Sequence, residues 1–388
     1  LYVTGVQTCA LPIYMPTKKQ HFVPCVYLKA WETKVETIKE PNKKFDGVYV
    51  FQGSNIGDGA NRNSILWKPH LYTISFQYSF ICKLCPKVKQ EFVDMIYEFF
   101  RNGAKQPIYG KLGYSIIKTK KSIDKHFFEI MNCDFYYDDG NLAKKAAIKN
   151  QIEAMNSYIL EKAFDDFFEK NWERIYQDFI NVVQNGMPVG LGRSERIIPL
   201  TIANEMLSAF FIMLCRNPRF DAMGIYTKIK KDILYPIFNS ICHDKYNQDS
   251  KPTEGNAYVD ELMTGIWYSE LYKMFFKSSG GFYHKIVKMA LQGCQMILFE
   301  AYDGAGSFIT SDNQAFEHIS AVERNNNNGF VFPISPKYLI FIAKGSEEIN
   351  VVDYRFANTD TIWYFNRIIA QHKTDTLISI QKDISNLL

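Results

Sequence analysis

The longest regular pattern in the chain is helical. From Asn141 to Gln184, apolar residues recur every three to five positions, which is the spacing of one face of an α-helix. Glycine and proline residues at 186–192 then end the pattern. Similar spacing predicts further helices just after Pro24 and at 90–103, 197–218, 220–246, 257–277, 284–293 and about 358–384.

Shorter runs rich in β-branched and aromatic residues indicate strands. Two of them lie early in the chain, and four follow one another between turn residues near its end. These patterns predict an α+β fold that is mainly α, with a helical bundle core and a small antiparallel sheet formed largely by the C-terminal third. Residues 108–119 fit neither pattern clearly, and the predicted strands are 46–52, 71–80, 294–301, 306–312, 329–335 and 338–344.

The first fourteen residues differ from the rest of the chain. The stretch VTGVQTCALPI at 3–13 carries no charge and matches the in-frame translation of a common sequencing-adapter oligonucleotide. It has neither the positive charge of a secretory signal nor the length of a membrane span. We therefore expect 1–14 to be a non-native leader and Met15 to begin a single domain at 15–388. Within that domain, an α+β part at 15–140 is expected to pack on a helical and small-sheet part at 141–388.

Composition indicates a folded chain without a membrane span. Hydrophobic residues make up 47% of the sequence and aromatic residues 15%, which is enough to fill a large core. The formal net charge of +4 is too small to indicate a nucleic-acid partner by itself. Setting Cys9 aside leaves an odd number of irregularly spaced cysteines, which is typical of reduced thiols and predicts a cytoplasmic location.

Six segments, read in order from about residue 18 to about residue 380, resemble the conserved pattern of domain-of-unknown-function family 4238. They are KKQHFVPCVYLKAW, YILEKAFDDFFEKNWERI, FFIMLCRNPRF, FITSDNQAF, FVFPISPKYLIFI and FNRIIAQHKTDTLIS. The resemblance implies a bacterial protein of unassigned activity. The family usually has proline after its S-D-N motif, whereas this chain has Gln314, so the loop is expected to differ in shape there.

Three polar residues are predicted to be catalytic. His21 precedes the helix that starts after Pro24, and a neutral imidazole can act as a base, an acid or a metal ligand. Asp312 and Asn313 follow an apolar strand, where loops often carry functional groups. Asp312 can bind a cation or orient His21, and Asn313 can present its amide. The structural alternative is that His21 fixes the N-terminal arm, while the Asp and Asn side chains form turns and caps.

Four charged residues are predicted to bind substrate. Arg216 and Arg219 flank an Asn-Pro pair, and a guanidinium suits phosphate or carboxylate, although cations near a helix C-terminus are also favoured by its dipole. Glu161 and Glu173 lie twelve positions apart, nearly aligned on the long predicted helix, and can meet His21 or an arginine. The alternative for the two glutamates is that they are solvated or form structural ion pairs. No metal ligand set is predicted, and no cofactor is indicated.

Two functions of different classes stay open. The first is hydrolysis of a phosphoester, with nucleic acid as one candidate substrate, in a defence or toxin-like role against phage. It requires His21, Asp312 and an arginine to meet in one cleft. The second is a non-catalytic module that binds a protein or a ligand, in which these residues are buried with backbone partners.

Overall fold

The computed structural model describes residues 19–69, 86–102, 106–190, 194–216, 293–319, 328–344 and 348–388. Its described residues fall into two compact units. The first unit is formed mainly by 86–163, and the second by 21–68, 164–216 and 293–388. The predicted strand at 71–80 and the predicted helices at 220–246, 257–277 and 284–293 lie outside the described residues, as do residues 1–18.

Seventeen strands and seven α-helices can be assigned in the part of the chain that the structure describes. The helices are α1 Cys25–Leu28, α2 Pro86–Asn102, α3 Lys120–Lys125, α4 Lys145–Phe164, α5 Trp172–Asn185, α6 Leu200–Arg216 and α7 Thr359–His372. The strands are β1 Lys19–His21, β2 Thr33–Val35, β3 Phe45–Phe51, β4 Asp58–Ala60, β5 Trp67–Pro69, β6 Ile108–Leu112, β7 Ser115–Ile117, β8 Asp134–Tyr137, β9 Met187–Pro188, β10 Glu195–Ile197, β11 Cys294–Ala301, β12 Thr310–Ser311, β13 Phe316–His318, β14 Gly329–Pro333, β15 Tyr338–Lys344, β16 Val351–Ala357 and β17 Leu377–Ser379.

In the first unit, three helices accompany a three-stranded sheet. The strand order is β7-β6-β8, and both pairs are antiparallel. Residues 108–119, which showed no clear period, form the hairpin β6–β7. Thr119 begins helix α3 with a capping box, in which its hydroxyl accepts from the Ser122 amide and the Ser122 hydroxyl accepts from the Thr119 amide.

The second unit is built on two sheets. A seven-stranded sheet has the order β13-β14-β15-β11-β16-β10-β9, in which only the β11–β16 pair is parallel. A five-stranded sheet has the order β12-β17-β3-β2, with β4 pairing β3. Apolar side chains from both sheets and from helix α7 form one core that includes Phe51, Phe299, Phe308, Phe341 and Phe365. Burial of this aromatic surface stabilises the unit.

The prediction of a mainly helical fold is wrong. The structure is about 39% helical and 29% strand, and its described strands form four sheets, of which the largest has seven strands. The strand content was underestimated because many strands are only two or three residues long, as at β9, β10 and β12, and so are too short to show a period of two. The sheet also draws strands from residues 187–197, where glycine and proline had indicated only a break.

Two long predicted helices differ from their patterns, one because it is interrupted and one because it ends early. The helix predicted at 141–184 is divided into α4 and α5 by a π-helical turn at Asp165–Glu169, which shifts the register of the apolar face. The last helix ends at His372 rather than near residue 384, and strand β17 follows it. The Asp312 carboxylate accepts backbone N–H bonds from 374–376, which fixes this segment in a non-helical path.

Two histidines meet where helix α7 ends against strand β13. The His372 ring stacks on Phe316 at a centroid distance of 4.4 Å, and its edge meets the His318 ring at 5.4 Å. His372 Nδ1 lies 2.9 Å from the carbonyl oxygen of Ile368. His318 Nδ1 is buried without a hydrogen-bond partner among the described residues. Burial, and then the neighbouring His372, lower the pKa of His318 below its ordinary value.

We expect protonation of His318, beside His372, to make the protein less stable in mild acid. Since the folded state lowers the pKa of His318, protonation at this position favours the unfolded chain. The free energy of unfolding should therefore be unaffected above the unfolded value of about 6.5 and should fall as the pH drops below it. Urea unfolding of His318→Phe and of the unchanged protein between about pH 7.5 and 5 measures this. The free energy of unfolding of the variant should fall less steeply with decreasing pH than that of the unchanged protein. An equally steep fall would show that His318 is not its cause.

Candidate functional site

A groove with a volume of about 400 Å³ opens on the surface of the second unit. Its walls come from three parts of the chain: helix α1 with the turn that follows it, the first half of helix α5, and the turn that joins β14 to β15. Polar, charged and aromatic side chains converge there. Those that carry its chemistry are Lys29, Trp172, Glu173, Tyr176, Lys337 and Tyr338.

Buried aromatic side chains hold the α1 wall in place. The Tyr27 hydroxyl donates to the carbonyl oxygen of Pro333 at 2.5 Å and lies 2.7 Å from Thr310 Oγ1. Trp31 Nε1 donates to the carbonyl oxygen of Phe308 at 3.1 Å. Both rings are fully buried, so these hydrogen bonds satisfy groups that cannot reach water. The short segment that carries Lys29 is therefore fixed to strands about 300 residues later in the chain.

Helix α5 presents its polar side to the groove. Glu173, Gln177 and Gln184 are separated by four and seven positions and therefore share one side of the helix. Gln177 Nε2 donates to Glu173 Oε1 at 3.3 Å. The Tyr176 hydroxyl donates to Ser335 Oγ at 3.3 Å, which joins the helix to the turn between β14 and β15. The two walls are thus held by a direct polar contact.

A buried carboxylate adjoins the groove. Glu300 accepts hydrogen bonds from Gln184 Nε2 at 3.0 Å and from the hydroxyl of Tyr354. Its other oxygen lies 2.9 Å from Lys337 Nζ. Gln184 Nε2 also donates to the Tyr338 hydroxyl at 2.9 Å. We call these five residues the Glu300 cluster.

The Glu300 cluster keeps its carboxylate ionised. Burial alone would raise the pKa of Glu300, but hydrogen bonds from Tyr354, Lys337 and Gln184 outweigh it, and the pKa lies below its ordinary value. Burial, and then Glu300 itself, raise the pKa of Tyr354 and of Tyr338. The phenols therefore stay protonated, and the ionised carboxylate holds the Lys337 ammonium at the rim of the groove.

Of the predicted site residues, His21 and Arg216 are brought together. Arg216 Nε donates to the carbonyl oxygen of His21 at 2.9 Å, and its Nη2 lies 2.7 Å from Glu169 Oε1. The Arg216 guanidinium also lies 4.6 Å from the ring centre of Phe164 and is almost wholly buried. His21 Nε2 lies 3.3 Å from the carbonyl oxygen of Asn63. These contacts tie the N-terminal arm to the end of helix α6.

A thiol lies in the same region but is not suited to act as a nucleophile. Burial, and then the charge of Glu169, raise the pKa of Cys25 to about 11. Because the thiolate is the reactive form, Cys25 stays an unreactive thiol near neutral pH. Its Sγ donates to the carbonyl oxygen of Arg62 at 3.7 Å, which is a packing role.

The predicted loop residues Asp312 and Asn313 contact the segment after helix α7. Asp312 accepts hydrogen bonds from the amides of Thr374, Asp375 and Thr376. Asn313 Nδ2 donates to the carbonyl oxygen of His372 at 2.9 Å. These partners are backbone groups, as the structural alternative requires. The catalytic assignment of both residues stays a prediction.

The loop is joined to the N-terminal arm by its next residue. Gln314 is fully buried, and its Nε2 donates to the carbonyl oxygens of Phe22 at 3.2 Å and Met213 at 2.9 Å. The family usually has proline at this position, and a proline side chain has no donor for either bond. Gln314 therefore holds this loop through two side-chain hydrogen bonds that a proline at the same position could not make.

The predicted substrate-binding residues have different placements. Glu173 is exposed and lines the groove. Glu161 belongs to helix α4, and Arg219 lies outside the described residues. Substrate binding by these residues and by Arg216 stays a prediction.

The sequence reading missed most of the groove. Tyr176 lies in a predicted helix, Glu300 and Tyr338 lie in predicted strands, and Lys337 lies between two predicted strands. The patterns that predicted these elements marked none of the four as a site residue. The signal that could have found Glu300 was a carboxylate in an otherwise apolar strand, CQMILFEA, because a buried charge needs specific partners.

The described residues contain neither a metal-ligand cluster nor a membrane-spanning helix. No group of three or more His, Cys, Asp or Glu side chains there is arranged to hold a metal ion. Across the same residues, every helix is too short or too polar to cross a lipid bilayer.

Comparison with known proteins identifies the family of this chain. The sequence profile of the family described as "Protein of unknown function (DUF4238)" matches residues 19–383. Neither the curated proteins nor the solved structures contain a significant match. Because the profile covers nearly the whole chain, this protein belongs to the DUF4238 family.

Proposed function

We propose that this chain binds a phosphate-bearing ligand in the groove between helix α1, helix α5 and the β14–β15 turn. The observation that carries the proposal is a pair of lysines on two walls of the groove, beside aromatic side chains. Ammonium groups attract phosphate, and aromatic rings pack against the flat part of an organic phosphate such as a nucleotide. A groove of about 400 Å³ lies within the range of small-molecule sites.

The two lysines offer donors for a ligand. Lys29 is exposed, and none of the ion pairs found among the described residues involves it. Lys337 is half exposed and pairs with Glu300 through one oxygen at 2.9 Å. Since an ammonium group has three donors, this ion pair leaves donors of Lys337 for a phosphate. Glu173 supplies the opposite charge in the groove and favours a ligand that also carries a hydrogen-bond donor.

Binding, rather than catalysis, is the better supported of the two functions considered. The partners described for Asp312 are backbone amides, and Arg216 is buried against Glu169 and the His21 carbonyl oxygen. A base and an anion clamp must reach the substrate. Buried contacts of this kind favour the role that the binding hypothesis gives to these residues.

Hydrolysis of a phosphoester in a defence or toxin-like role is the second candidate. The observation that favours it is that the His21 imidazole remains partly exposed while its own backbone is held by Arg216. An imidazole in such a position can remove a proton from water.

We expect loss of either groove lysine to weaken binding of adenosine monophosphate. Lys29→Gln and Lys337→Gln should each lower the affinity about tenfold, equivalent to about 1.4 kcal/mol, because each removes one ammonium contact. Isothermal titration calorimetry measures this. Lys43→Gln is the matched control, since Lys43 is an exposed lysine that does not line the groove. Equal affinity of all three variants and the unchanged protein, or no binding at all, would rule the proposal out.

The hydrolase candidate predicts a phosphodiesterase activity that depends on His21. His21→Gln should lower the rate of bis(p-nitrophenyl) phosphate hydrolysis by about 100-fold or more, since general acid–base catalysis contributes at least that factor. His126→Gln, at a partly exposed histidine paired with Glu129, is the control. Growth of bacteria that express each variant tests the toxin-like role. Hydrolysis by the His21 variant at the unchanged rate, or none by any form, would exclude this candidate.

A further inference from the structure

A carboxylate and an amide lie side by side on the helix α5 wall of the groove. Glu173 and Gln177 both line the groove, and both are exposed. Gln177 Nε2 donates to Glu173 Oε1 at 3.3 Å. Because a carboxylate only accepts hydrogen bonds, it is the NH2 group of Gln177, and not its carbonyl oxygen, that faces Glu173. The partner thus fixes the orientation of the Gln177 amide.

This contact leaves a defined set of hydrogen-bonding groups for a ligand. No ion pair among the described residues involves Glu173, so both of its oxygens keep lone pairs that can accept. The NH2 group of Gln177 keeps its second hydrogen. A ligand in the groove can therefore meet two acceptors from Glu173 beside one donor from Gln177.

Guanine has the complementary edge. Its N2 amino group and its N1–H are adjacent donors, and its O6 is an acceptor beside them. Adenine offers one donor and one acceptor at the same edge, and its N1 lone pair would repel a carboxylate. Proteins read unpaired bases by hydrogen bonds to this edge. Of the four common bases, guanine alone presents two adjacent donors to the two oxygens of Glu173.

The other walls of the groove suit the flat face of a base and its phosphate. Val26, Pro336 and the ring of Tyr176 line the groove and are partly exposed, and such surfaces pack against the plane of a base. Burial raises the pKa of the Tyr176 hydroxyl, and the charges of Glu173 and Lys337 also act on it, in opposite directions. The carboxylate and one ammonium group therefore lie within electrostatic reach of the same residue.

The charges at the groove are balanced. Lys29 and Lys337 are matched by Glu173 and by Glu300, the buried partner of Lys337. Since no excess of positive charge remains, the groove does not favour a long chain of phosphates. A single phosphate joined to a base that carries donors matches both the ammonium groups and the exposed carboxylate.

We infer that the ligand of the groove is a guanine mononucleotide. Its base donates N1–H and N2–H to Glu173 and accepts at O6 from Gln177, while its phosphate lies at Lys29 and Lys337. Glu173 is then the residue that determines base specificity. This inference rests on the proposed function, because the two lysines supply the phosphate site.

Three nucleotides with the same ribose and phosphate test the base site. Guanosine, inosine and adenosine monophosphates are titrated into the full chain, and affinities are measured by isothermal titration calorimetry. Inosine monophosphate differs from the guanine nucleotide only in lacking the N2 amino group. Guanosine monophosphate should bind at least about tenfold more tightly than either of the others, because a bidentate contact to a base is worth about that factor.

Glu173→Gln should remove the preference for guanine. A glutamine side chain can accept from the N6 amino group of adenine and donate to its N1, but its single oxygen cannot serve both guanine donors as a carboxylate does. The ratio of the guanosine to the adenosine monophosphate affinity should fall at least about tenfold. Loss of the negative charge alone would change both affinities equally, so a purely electrostatic or structural role of Glu173 would leave this ratio unchanged.

Glu98→Gln is the matched control. Glu98 also accepts a hydrogen bond from an amide four residues later, Asn102 Nδ2 at 3.1 Å, but it belongs to helix α2 of the first unit. This variant should bind all three nucleotides as the unchanged protein does. Lys29→Gln should weaken all three by the same factor, since the phosphate is common to them.

The outcomes separate the two proposals. If the three nucleotides bind equally tightly in a lysine-dependent way, or if the preference for guanine survives in Glu173→Gln, the guanine assignment is overturned and the groove proposal stands. If no nucleotide binds, both proposals fail. A preference for guanine that Glu173→Gln removes and Glu98→Gln keeps would support the assignment.

Discussion

The buried hydroxyl of Tyr27 is the contact on which the second unit depends. It bonds the Pro333 carbonyl oxygen and Thr310 Oγ1 at the ends of two strands that belong to different sheets. Its ring packs against Trp31, Trp172 and Phe332. One side chain from the first helix thus holds two sheets and helix α5 in a single arrangement. Because the site is buried, each unpaired polar group would cost about 1–3 kcal/mol, which makes the arrangement specific.

The groove follows from that arrangement. Fixing α1 places Lys29 opposite the β14–β15 turn, and the register of β15 and β11 places Tyr338 beside Glu300. No single segment of the chain forms the groove. The Glu300 carboxylate holds Lys337 at the groove while it accepts a hydrogen bond from Tyr354. The polar contacts that stabilise the fold therefore also shape the groove.

The longer helices and strands could be predicted from the sequence, whereas most residues of the groove could not. Strands 294–301 and 338–344 appear as predicted, and the strand predicted at 46–52 appears one residue earlier, at Phe45–Phe51, because continuous apolar or β-branched runs specify them locally. Strands of two or three residues, such as β9 and β12, depend on their partners and leave no local pattern. Arg216 contacts the main-chain carbonyl oxygen of His21, which is not the shared cleft that the hydrolase hypothesis requires. Its ion-pair partner Glu169 lies in the π-helical turn at 165–169, which no periodicity predicts.

The most direct test of this account is a double-mutant cycle between Tyr27 and Thr310. Tyr27→Phe and Thr310→Val each remove one partner of the buried hydrogen bond and keep nearly the same volume. Urea unfolding of the two single variants, the double variant and the unchanged protein gives the interaction energy. The account predicts a coupling of about 1 kcal/mol or more in the free energy of unfolding. Additivity within about 0.3–0.5 kcal/mol would show that the two hydroxyls do not interact, and would contradict the hydrogen bond by which Tyr27 joins the first helix to strand β12.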